Sequence, residues 1–288
     1  MKLVRWGEPG HEKPGVLDEE QQIRDVSGIV DDWHGQRLSD DSLQRLRSLS
    51  LSRLPQVSPG TRLGPCVARP GKIVCVGLNY RDHAHEAGMM ALPQEPILFL
   101  KVTSAITGPQ DPIEIPPGAS KVDWEVELGV VIGWHGRYLT QAQVLDHVAG
   151  YCVLNDISER AWQIERGGQW DKGKCADTFA PLGPYLVTRD DIIDEQNLAL
   201  WLEVDGVRRQ ESNTGEMIFG VAQLVAYISQ FMSLQPGDII ATGTPAGVGM
   251  GFTPPVYLRP GQTLRLGIDG LGEQYNVTVA AARAGTGV

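Results

Sequence analysis

Three acidic residues occupy alternate positions at the entrance to one apolar stretch of the chain. The stretch is DWEVELGVVIG, and its acids are Asp123, Glu125 and Glu127. Because successive side chains of a strand point to opposite faces, the three carboxylates are predicted to share one face. Acids are rarely buried without a partner, and neighbouring carboxylates raise one another's pKa unless a positive charge lies between them. Two interpretations follow: a cation site, or a solvated edge strand with scattered charge.

A further acid follows the apolar run YCVLN. Asp156 comes directly after Asn155, where the predicted strand ends, and could meet the pair Glu125 and Glu127. Three converging carboxylates would form an all-oxygen site that suits Mg²⁺, Mn²⁺ or Ca²⁺, whereas zinc would require His or Cys. Taken alone, the Asn-Asp pair is also typical of a turn.

The segment GLNYRDHAHEAG contains an imidazole and a carboxylate three residues apart. One turn of helix would bring His83 and Glu86 together, as a general base with the group that orients it. A solvated histidine with a chance neighbour is the alternative. His85 has no such partner and is expected at the surface.

Two glycine-rich segments add polar groups. Lys172 and Lys174 in GGQWDKGKCADTFAPLGP could hold an anionic oxygen, or could simply be solvated. Thr242 and Thr244 in ATGTPAGVGMG lie where backbone N–H groups and a hydroxyl could cradle a carboxylate, or in a plain turn. The Gly-Lys-Ser/Thr ending of a phosphate loop is absent.

Composition narrows the function classes. The 288 residues are 42% hydrophobic and carry a formal charge of −10, which argues against nucleic acid or anionic membrane as a partner. No signal peptide or membrane-spanning run is evident, which predicts a cytoplasmic protein. Four cysteines without metal-ligand spacing are expected to be free thiols.

The pattern of elements predicts an α+β protein that is mainly β. A small N-terminal α/β domain is expected over residues 1–56, a Pro- and Gly-rich linker over 57–72 and a larger domain over 73–288. A helix should begin after Ser39, a second after Thr140 with Gln143 in a capping box, and a third over FGVAQLVAYISQFM. The sequence shows no regular βαβ repeat, so it does not predict a Rossmann fold or a TIM barrel.

Five segments in this order resemble the fumarylacetoacetate hydrolase family: GLNYRDHAHEAG, DWEVELGVVIG, LNDISERAWQ, GKCADTFAPLGP and PGDIIATGTPAGVG. The resemblance implies a mixed β-sandwich roll, usually assembled as a homodimer or a dimer of dimers. It also implies that Glu125, Glu127 and Asp156 hold a divalent metal, commonly Mg²⁺.

The resemblance assigns further roles by position. His83 and Glu86 match the dyad that activates water, and Lys174 matches the active-site lysine. The residues that match substrate contacts are Arg160, Gln163 and Thr244. The chain departs from the family pattern at Ala161, where an acid is common, and at Cys175, where Gly or a small polar residue is common.

The implied activity is hydrolysis of a carbon–carbon bond in a 2,4-diketo acid. The whole chain looks most similar to bacterial enzymes that convert 2,4-diketo-3-deoxy-L-rhamnonate or L-fuconate to pyruvate and lactate. Trp170 and the region of Phe179 are expected at the acyl end of the pocket. The alternatives are a general acylpyruvate hydrolase or oxaloacetate decarboxylase, and then a ureidoglycolate lyase or dienedioate isomerase. A non-catalytic β domain with a structural Ca²⁺ is an alternative from another class.

Overall fold

The computed structural model describes residues 1–88 and 90–282, and most of its regular elements are strands. The strands are β1 (Lys2–Trp6), β2 (Lys13–Leu17), β3 (Ile23–Asp25), β4 (Ile73–Gly77), β5 (Ile97–Lys101), β6 (Ile106–Thr107), β7 (Ile113–Ile115), β8 (Val122–Asp123), β9 (Val126–Ile132), β10 (Val148–Asn155), β11 (Ser158–Glu159), β12 (Ala180–Pro181), β13 (Leu186–Thr188), β14 (Ala199–Val204), β15 (Val207–Asn213), β16 (Ile239–Ala241), β17 (Thr263–Ile268) and β18 (Gly272–Ala280). The α-helices are α1 (Asp40–Arg47), α2 (Arg81–Glu86), α3 (Arg160–Ile164), α4 (Asp171–Lys174) and α5 (Val221–Phe231). Short 3-10 helices cover Gly35–Leu38, Leu51–Arg53, Thr103–Ala105, Gln141–His147, Arg189–Asp191, Thr214–Glu216 and Gly249–Gly251.

Two large sheets organise the chain. One has nine strands in the order β3-β2-β1-β13-β10-β9-β16-β4-β5, and the other has five in the order β15-β14-β17-β18-β7. Pairing is mostly antiparallel, with parallel pairs such as β16 with β4 and β18 with β7. Every residue of β9 and β10 is buried, which agrees with their continuous apolar sequences. This mainly β architecture of the α+β class confirms the predicted fold class.

The N-terminal strands extend the larger sheet. Lys2 and Leu3 of β1 pair with Val187 and Leu186 of β13, which in turn pairs with β10. The first 56 residues therefore share a sheet with the remainder of the chain. The predicted boundaries at residues 56 and 72 stay predictions, and residues 283–288 of the predicted larger domain lie outside the described residues.

Local sequence signals determine several helix boundaries. The Ser39 side chain accepts a hydrogen bond from the backbone N–H of Ser42 at the start of α1, as predicted. The capping box of Thr140 and Gln143 also forms, and the helix predicted after it is present as a 3-10 helix, Gln141–His147. This segment buries only Val144, so no apolar stripe stabilises a longer α-helical turn. Across the described ranges, no helix combines the length and apolar character that crossing a membrane requires.

Gly150 in β10 permits the close approach of β13 and provides a test of this sheet. A Cβ atom at Gly150 would lie 2.0 Å from the backbone oxygen of Val187, whereas one at Gly28 would have no neighbour within 4 Å. Gly150→Ala is expected to lower the free energy of unfolding by about 2 to 3 kcal/mol, because the clash forces the strands apart. Gly28→Ala, the matched control, should change it by no more than about 0.5 kcal/mol in the same urea titration. Equal effects of the two substitutions would contradict the described packing.

Candidate active site

The structure brings three of the predicted acids together at the centre of the larger sheet. Ligand oxygens of Glu125, Glu127 and Asp156 all lie within 4.8 Å of one another, and all three side chains are buried. The register of β9 and β10 explains this, because Asn155 pairs with Val126 and the Asp156 N–H donates to the Glu125 backbone oxygen over 2.9 Å. Asp156 is thereby fixed beside the two acids of the neighbouring strand.

Among the described residues, Asp123 does not join the cluster of carboxylates that lie close enough to share an ion. The strand is interrupted between β8 and β9, so Asp123 and Glu127 belong to different strands, and Arg160 contacts both Asp123 and Glu125. The Asp123 carboxylate accepts hydrogen bonds from Nε of Arg160 at 2.8 Å and from the backbone N–H groups of Gly249 and Met250 at 2.6 and 3.0 Å. It is fully buried, so the solvated edge strand considered as an alternative is wrong.

Three buried cations contact the acids. Nζ of Lys174 lies 2.7 Å from Glu125 Oε2 and 2.7 Å from Asp156 Oδ2. Nη2 of Arg160 lies 2.7 Å from Glu125 Oε1, and Nζ of Lys101 lies 2.6 Å from Asp156 Oδ1. Every one of these side chains is almost completely excluded from solvent, so the ion pairs are only weakly screened.

The cations set the charge of Glu125 and of Lys174. Burial alone would raise the pKa of Glu125, but the positive charges of Lys174 and Arg160 outweigh it and lower this pKa to about 2. Burial would likewise lower the pKa of Lys174, yet the carboxylates of Asp156 and Glu125 raise it above its usual value. At neutral pH, Glu125 is therefore an anion and Lys174 a cation.

Glu127 is the acid with the least compensation. Burial raises its pKa well above the usual value, and the charges of Asp156 and Glu125 raise it further. It accepts a 2.8 Å hydrogen bond from the Gly243 N–H, and within 1–88 and 90–282 it forms no ion pair with a cationic side chain. A buried carboxylate without a cation, beside two others, fits a divalent ion that prefers oxygen ligands. The residues present thus fit the predicted metal.

The predicted dyad also forms. Nδ1 of His83 lies 2.9 Å from Oε2 of Glu86 on α2, and the other carboxylate oxygen of Glu86 accepts a 2.9 Å hydrogen bond from the Gly247 N–H. His83 is buried and lines the same cavity as the acids, whereas His85 on the same helix is exposed, as expected. This arrangement leaves Nε2 of His83 available to a water molecule.

The glycine-rich segment before Met250 stabilises the protein's own acids. Its backbone N–H groups donate to Glu127 from Gly243, to Glu86 from Gly247 and to Asp123 from Gly249. The segment therefore binds carboxylates, as its sequence suggested, but these carboxylates belong to the chain itself.

Thr244 lies in this segment and lines the cavity. Its hydroxyl donates to the Val126 backbone oxygen over 2.9 Å and accepts from Nε2 of Gln210 over 2.8 Å. The hydroxyl proton is thus engaged by the protein, and the predicted contact of Thr244 with a substrate carboxylate stays a prediction. Thr242 instead donates to the Leu128 oxygen in the sheet.

A cavity of about 190 Å³ opens over the acids. Its polar lining consists of Glu125, Glu127, Lys174, Arg160, Gln163, His83 and Thr244, and its apolar lining includes Phe99, Ile164, Trp170, Leu78, Ala87 and Met250. Nη1 of Arg160 donates to Oε1 of Gln163 over 3.1 Å, which orients both side chains. All nine predicted site residues are therefore close together, with Asp156 and Glu86 directly behind the lining.

Two predictions about the pocket wall have different outcomes. Trp170 lines the cavity, but Phe179 does not: its side chain is fully buried, with the ring centroid 6.0 Å from Nζ of Lys101. The two departures from the family pattern, Ala161 and Cys175, do not line the cavity. They therefore do not shape its wall directly.

Sequence reasoning missed Lys101 and Gln210. Lys101 ends the apolar strand ILFLK, and a lysine at a buried strand position requires a partner charge, so this signal was present. Gln210 lies in the polar strand VRRQESN, where nothing distinguishes it. Its amide is nevertheless fully buried, accepts from the Val126 N–H and donates to Thr244.

Comparison with known proteins gives a family match over most of the chain. The family sequence model described as fumarylacetoacetate (FAA) hydrolase C-terminal matches residues 72–279. A protein of Burkholderia multivorans, described provisionally as a hydrolase, is 61% identical over 282 residues, which cover 98% of this chain and 100% of the relative.

Two solved structures share the fold. The fumarylacetoacetate hydrolase from Exiguobacterium antarcticum has a TM-score of 0.86 and 35% identity. Maleylpyruvate hydrolase from Sphingobium sp. SYK-6, in complex with manganese (II) ion and pyruvate, has a TM-score of 0.82 and 30% identity. In both cases the match covers 98% of this chain and 100% of the other, so the similarity includes the N-terminal strands.

Glu127→Gln tests the fit of the acids to a metal. The carboxyl group of Glu127 is raised in pKa, so a neutral amide of the same shape should leave the free energy of unfolding of the metal-free protein within about 1 kcal/mol of wild type. Affinity for Mn²⁺, measured by isothermal titration calorimetry, is expected to fall at least about 100-fold. Glu165→Gln, an exposed acid, is the control and should bind Mn²⁺ as wild type does. Unchanged affinity of Glu127→Gln would rule out Glu127 as a ligand.

Lys101→Met tests the buried charge on Asp156. Removing one partner of a buried ion pair should lower the free energy of unfolding of the metal-free protein by about 3 kcal/mol. Added Mn²⁺ should raise the Tm of this variant more than that of wild type, since the ion would restore positive charge beside Asp156. Lys121→Met removes the partly exposed pair with Glu165 and should cost less than about 1 kcal/mol. Similar losses from both variants would show that Lys101 does not compensate Asp156.

Proposed function

The chain belongs to the fumarylacetoacetate hydrolase family, and we propose that it is a metal-dependent hydrolase that cleaves a carbon–carbon bond of a 2,4-diketo acid. The observation that carries this proposal is the presence of two chemical units in one cavity. One is the buried cluster Glu125, Glu127 and Asp156, and the other is the pair His83 and Glu86. A structural ion site needs the cluster but has no use for the pair.

The three carboxylates would hold Mg²⁺ or Mn²⁺. Their all-oxygen donor set suits these ions, and the related maleylpyruvate hydrolase is described with manganese and pyruvate. The chemistry that such an ion supplies when bound is Lewis-acid stabilisation of negative charge on the oxygen of a keto acid. The same chemistry supports pyruvate as a leaving group.

The residues of this chain perform the proton transfer. His83 accepts a proton from water through Nε2 while Glu86 holds Nδ1 and fixes the ring orientation. The water oxygen bonds to C4 of the diketo acid, and the C3–C4 bond then breaks with its electron pair on C3. The proton held by His83 then passes to C3, which completes pyruvate and restores the base, and the acyl group leaves as a carboxylic acid. One water is consumed and no redox step is needed.

Lys174 and Arg160 supply positive charge where the substrate reacts. The Lys174 ammonium has three N–H donors and uses two of them on Glu125 and Asp156, which leaves one for an oxygen in the cavity. We propose that this donor stabilises negative charge at the C4 oxygen. Arg160 and Gln163, held together by their hydrogen bond, would contact the pyruvyl end.

The substrate class is proposed as acylpyruvates. The whole-chain resemblance favours the diketo acids from L-rhamnonate or L-fuconate, whose products would be pyruvate and lactate. Pyruvate release from 2,4-diketo-3-deoxy-L-rhamnonate, acetylpyruvate and oxaloacetate, each with Mg²⁺ and after chelation, tests this. Metal-dependent release from a diketo acid is the expected result. Release from oxaloacetate alone would make the chain a decarboxylase, and no release from any would favour an isomerase or a binding protein.

Assembly is a separate proposal. We expect a homodimer or a dimer of dimers, as the family resemblance implies. Light scattering coupled to size-exclusion chromatography measures this directly, and a mass of one chain at micromolar concentration would contradict it.

His83→Ala tests the base. Loss of the His83 imidazole should reduce kcat for pyruvate release by about 10²- to 10⁴-fold, because no general base would remain to deprotonate water. Mn²⁺ affinity should remain that of wild type, since His83 is not among the three clustered acids, and the variant should still fold. His85→Ala, an exposed imidazole on the same helix, is the matched control and should keep full activity. Wild-type turnover by His83→Ala would remove the base assignment.

A further inference from the structure

Part of the cavity wall is apolar and includes the indole of Trp170. Trp170 comes immediately before α4, four residues ahead of Lys174, so one helical turn presents both side chains to the same cavity. The ring of Phe99 lies between them: its centroid is 4.9 Å from Nζ of Lys174 and 5.5 Å from the Trp170 ring in an edge-to-face arrangement. Leading away from the acids, Lys174, Phe99 and Trp170 therefore follow one another along the cavity lining.

The position of Trp170 depends on Gly77 at the end of β4. A Cβ atom on Gly77 would lie only 2.5 Å from Cζ3 of the indole, so the ring occupies the space that a larger residue would fill. The side chain of Asp171 accepts a 3.2 Å hydrogen bond from the Leu100 N–H of β5, which holds the segment against the sheet. The indole is thus held in place as part of the cavity wall.

Charge is distributed unevenly around the cavity. Among the described lining residues, the cationic or titratable basic groups are Lys174, Arg160 and His83, and each of them contacts an acid of the cluster or Glu86. The apolar part of the lining offers Phe99, Trp170, Ile164, Leu78, Ala87 and Met250. A carboxylate placed against these side chains would lose water without gaining a cation, which is unfavourable.

We propose that this cavity selects acylpyruvates with a short, uncharged acyl group, and that Trp170 is the residue that determines this specificity. The inference rests on the proposed function, because it assumes that the keto-acid end lies at Glu125, Glu127 and Asp156. That end needs the cations, so the acyl group extends toward Phe99 and Trp170. The cavity of about 190 Å³ is smaller than the usual ligand pocket of roughly 300 Å³ or more, which also favours a short acyl group.

The test compares acylpyruvates that differ at the acyl end only. The wild-type protein, loaded with Mn²⁺, is assayed for pyruvate release from acetylpyruvate, lactoylpyruvate, pentanoylpyruvate and maleylpyruvate, the last of which carries a second carboxylate. The kcat/KM values for acetylpyruvate and lactoylpyruvate are expected to exceed those for the longer and the charged substrate by about 10-fold or more.

Two variants then test which lining residues determine the substrate preference. Trp170→Ala should raise kcat/KM for pentanoylpyruvate relative to acetylpyruvate by about 10-fold, with unchanged Mn²⁺ affinity by calorimetry. Trp134→Ala, which removes an exposed indole outside this cavity, is the control and should leave the ratio unchanged. Ile164→Arg places a cation beside the apolar wall and should improve kcat/KM for maleylpyruvate relative to acetylpyruvate; this change at a half-exposed position does not disturb the core.

The outcomes separate the two proposals. The specificity proposal is overturned if wild type has the same kcat/KM for maleylpyruvate or pentanoylpyruvate as for acetylpyruvate. It is also overturned if a folded Trp170→Ala variant keeps the preference for short acyl groups. Either result leaves the hydrolase proposal intact. If Trp170→Ala does not fold, an unchanged substrate ratio in Ile164→Arg overturns it. No pyruvate from any of the four substrates would overturn the hydrolase proposal, and the inference with it.

Discussion

Compensation of buried negative charge is the constraint on which the rest of this structure depends. Four carboxylates, those of Asp123, Glu125, Glu127 and Asp156, are buried in one region of the protein. Each ion in such a place costs several kcal/mol unless charge or hydrogen bonds replace its water. The chain brings three cations, Lys101, Arg160 and Lys174, from three different elements to these acids. One acid, Glu127, is left with a pKa that burial raises, because no cationic side chain among the described residues pairs with it. A divalent ion would supply this missing positive charge, which makes the cluster suitable for one.

Backbone N–H groups provide the second part of this compensation. The glycine-rich segment after β16 donates to Glu127, Glu86 and Asp123. Gly247 shows why this segment needs glycine. Its φ of +100° is one that residues with a side chain rarely adopt, and a Cβ atom there would lie 1.9 Å from the Arg209 backbone oxygen. The segment thus connects the acid cluster with the dyad, so a single loop positions both of the groups on which the proposed chemistry relies.

The short helix α4 couples the proposed chemistry to the proposed specificity. Lys174 at its end contacts two acids, and Trp170 immediately before it lines the cavity. Gly173 allows α4 to lie directly against α3, because a Cβ there would be 2.6 Å from the Cβ and the backbone N of Gln163. Since both side chains belong to one rigid turn, a substitution that shifts α4 would alter acyl-group selection and charge stabilisation together.

The sequence by itself determined the features that depend on near neighbours. The apolar runs of β9 and β10, the cap at Ser39 and the spacing of His83 and Glu86 each follow from residues within one or two turns or along one strand. Ordered motifs also identified the family and the acids that cluster. These local patterns are reliable because backbone geometry alone relates positions a few residues apart.

Only the tertiary structure decided which distant groups meet. It separated Asp123 from the other acids and paired it with Arg160, and it brought Lys101 to Asp156 across 55 positions of sequence. It also turned the glycine-rich N–H groups toward the protein's own carboxylates and buried Gln210 from an otherwise polar strand. Such pairings depend on strand interruptions, sheet register and the need to neutralise buried charge, and each of these is a property of the packed chain that no short stretch of sequence contains.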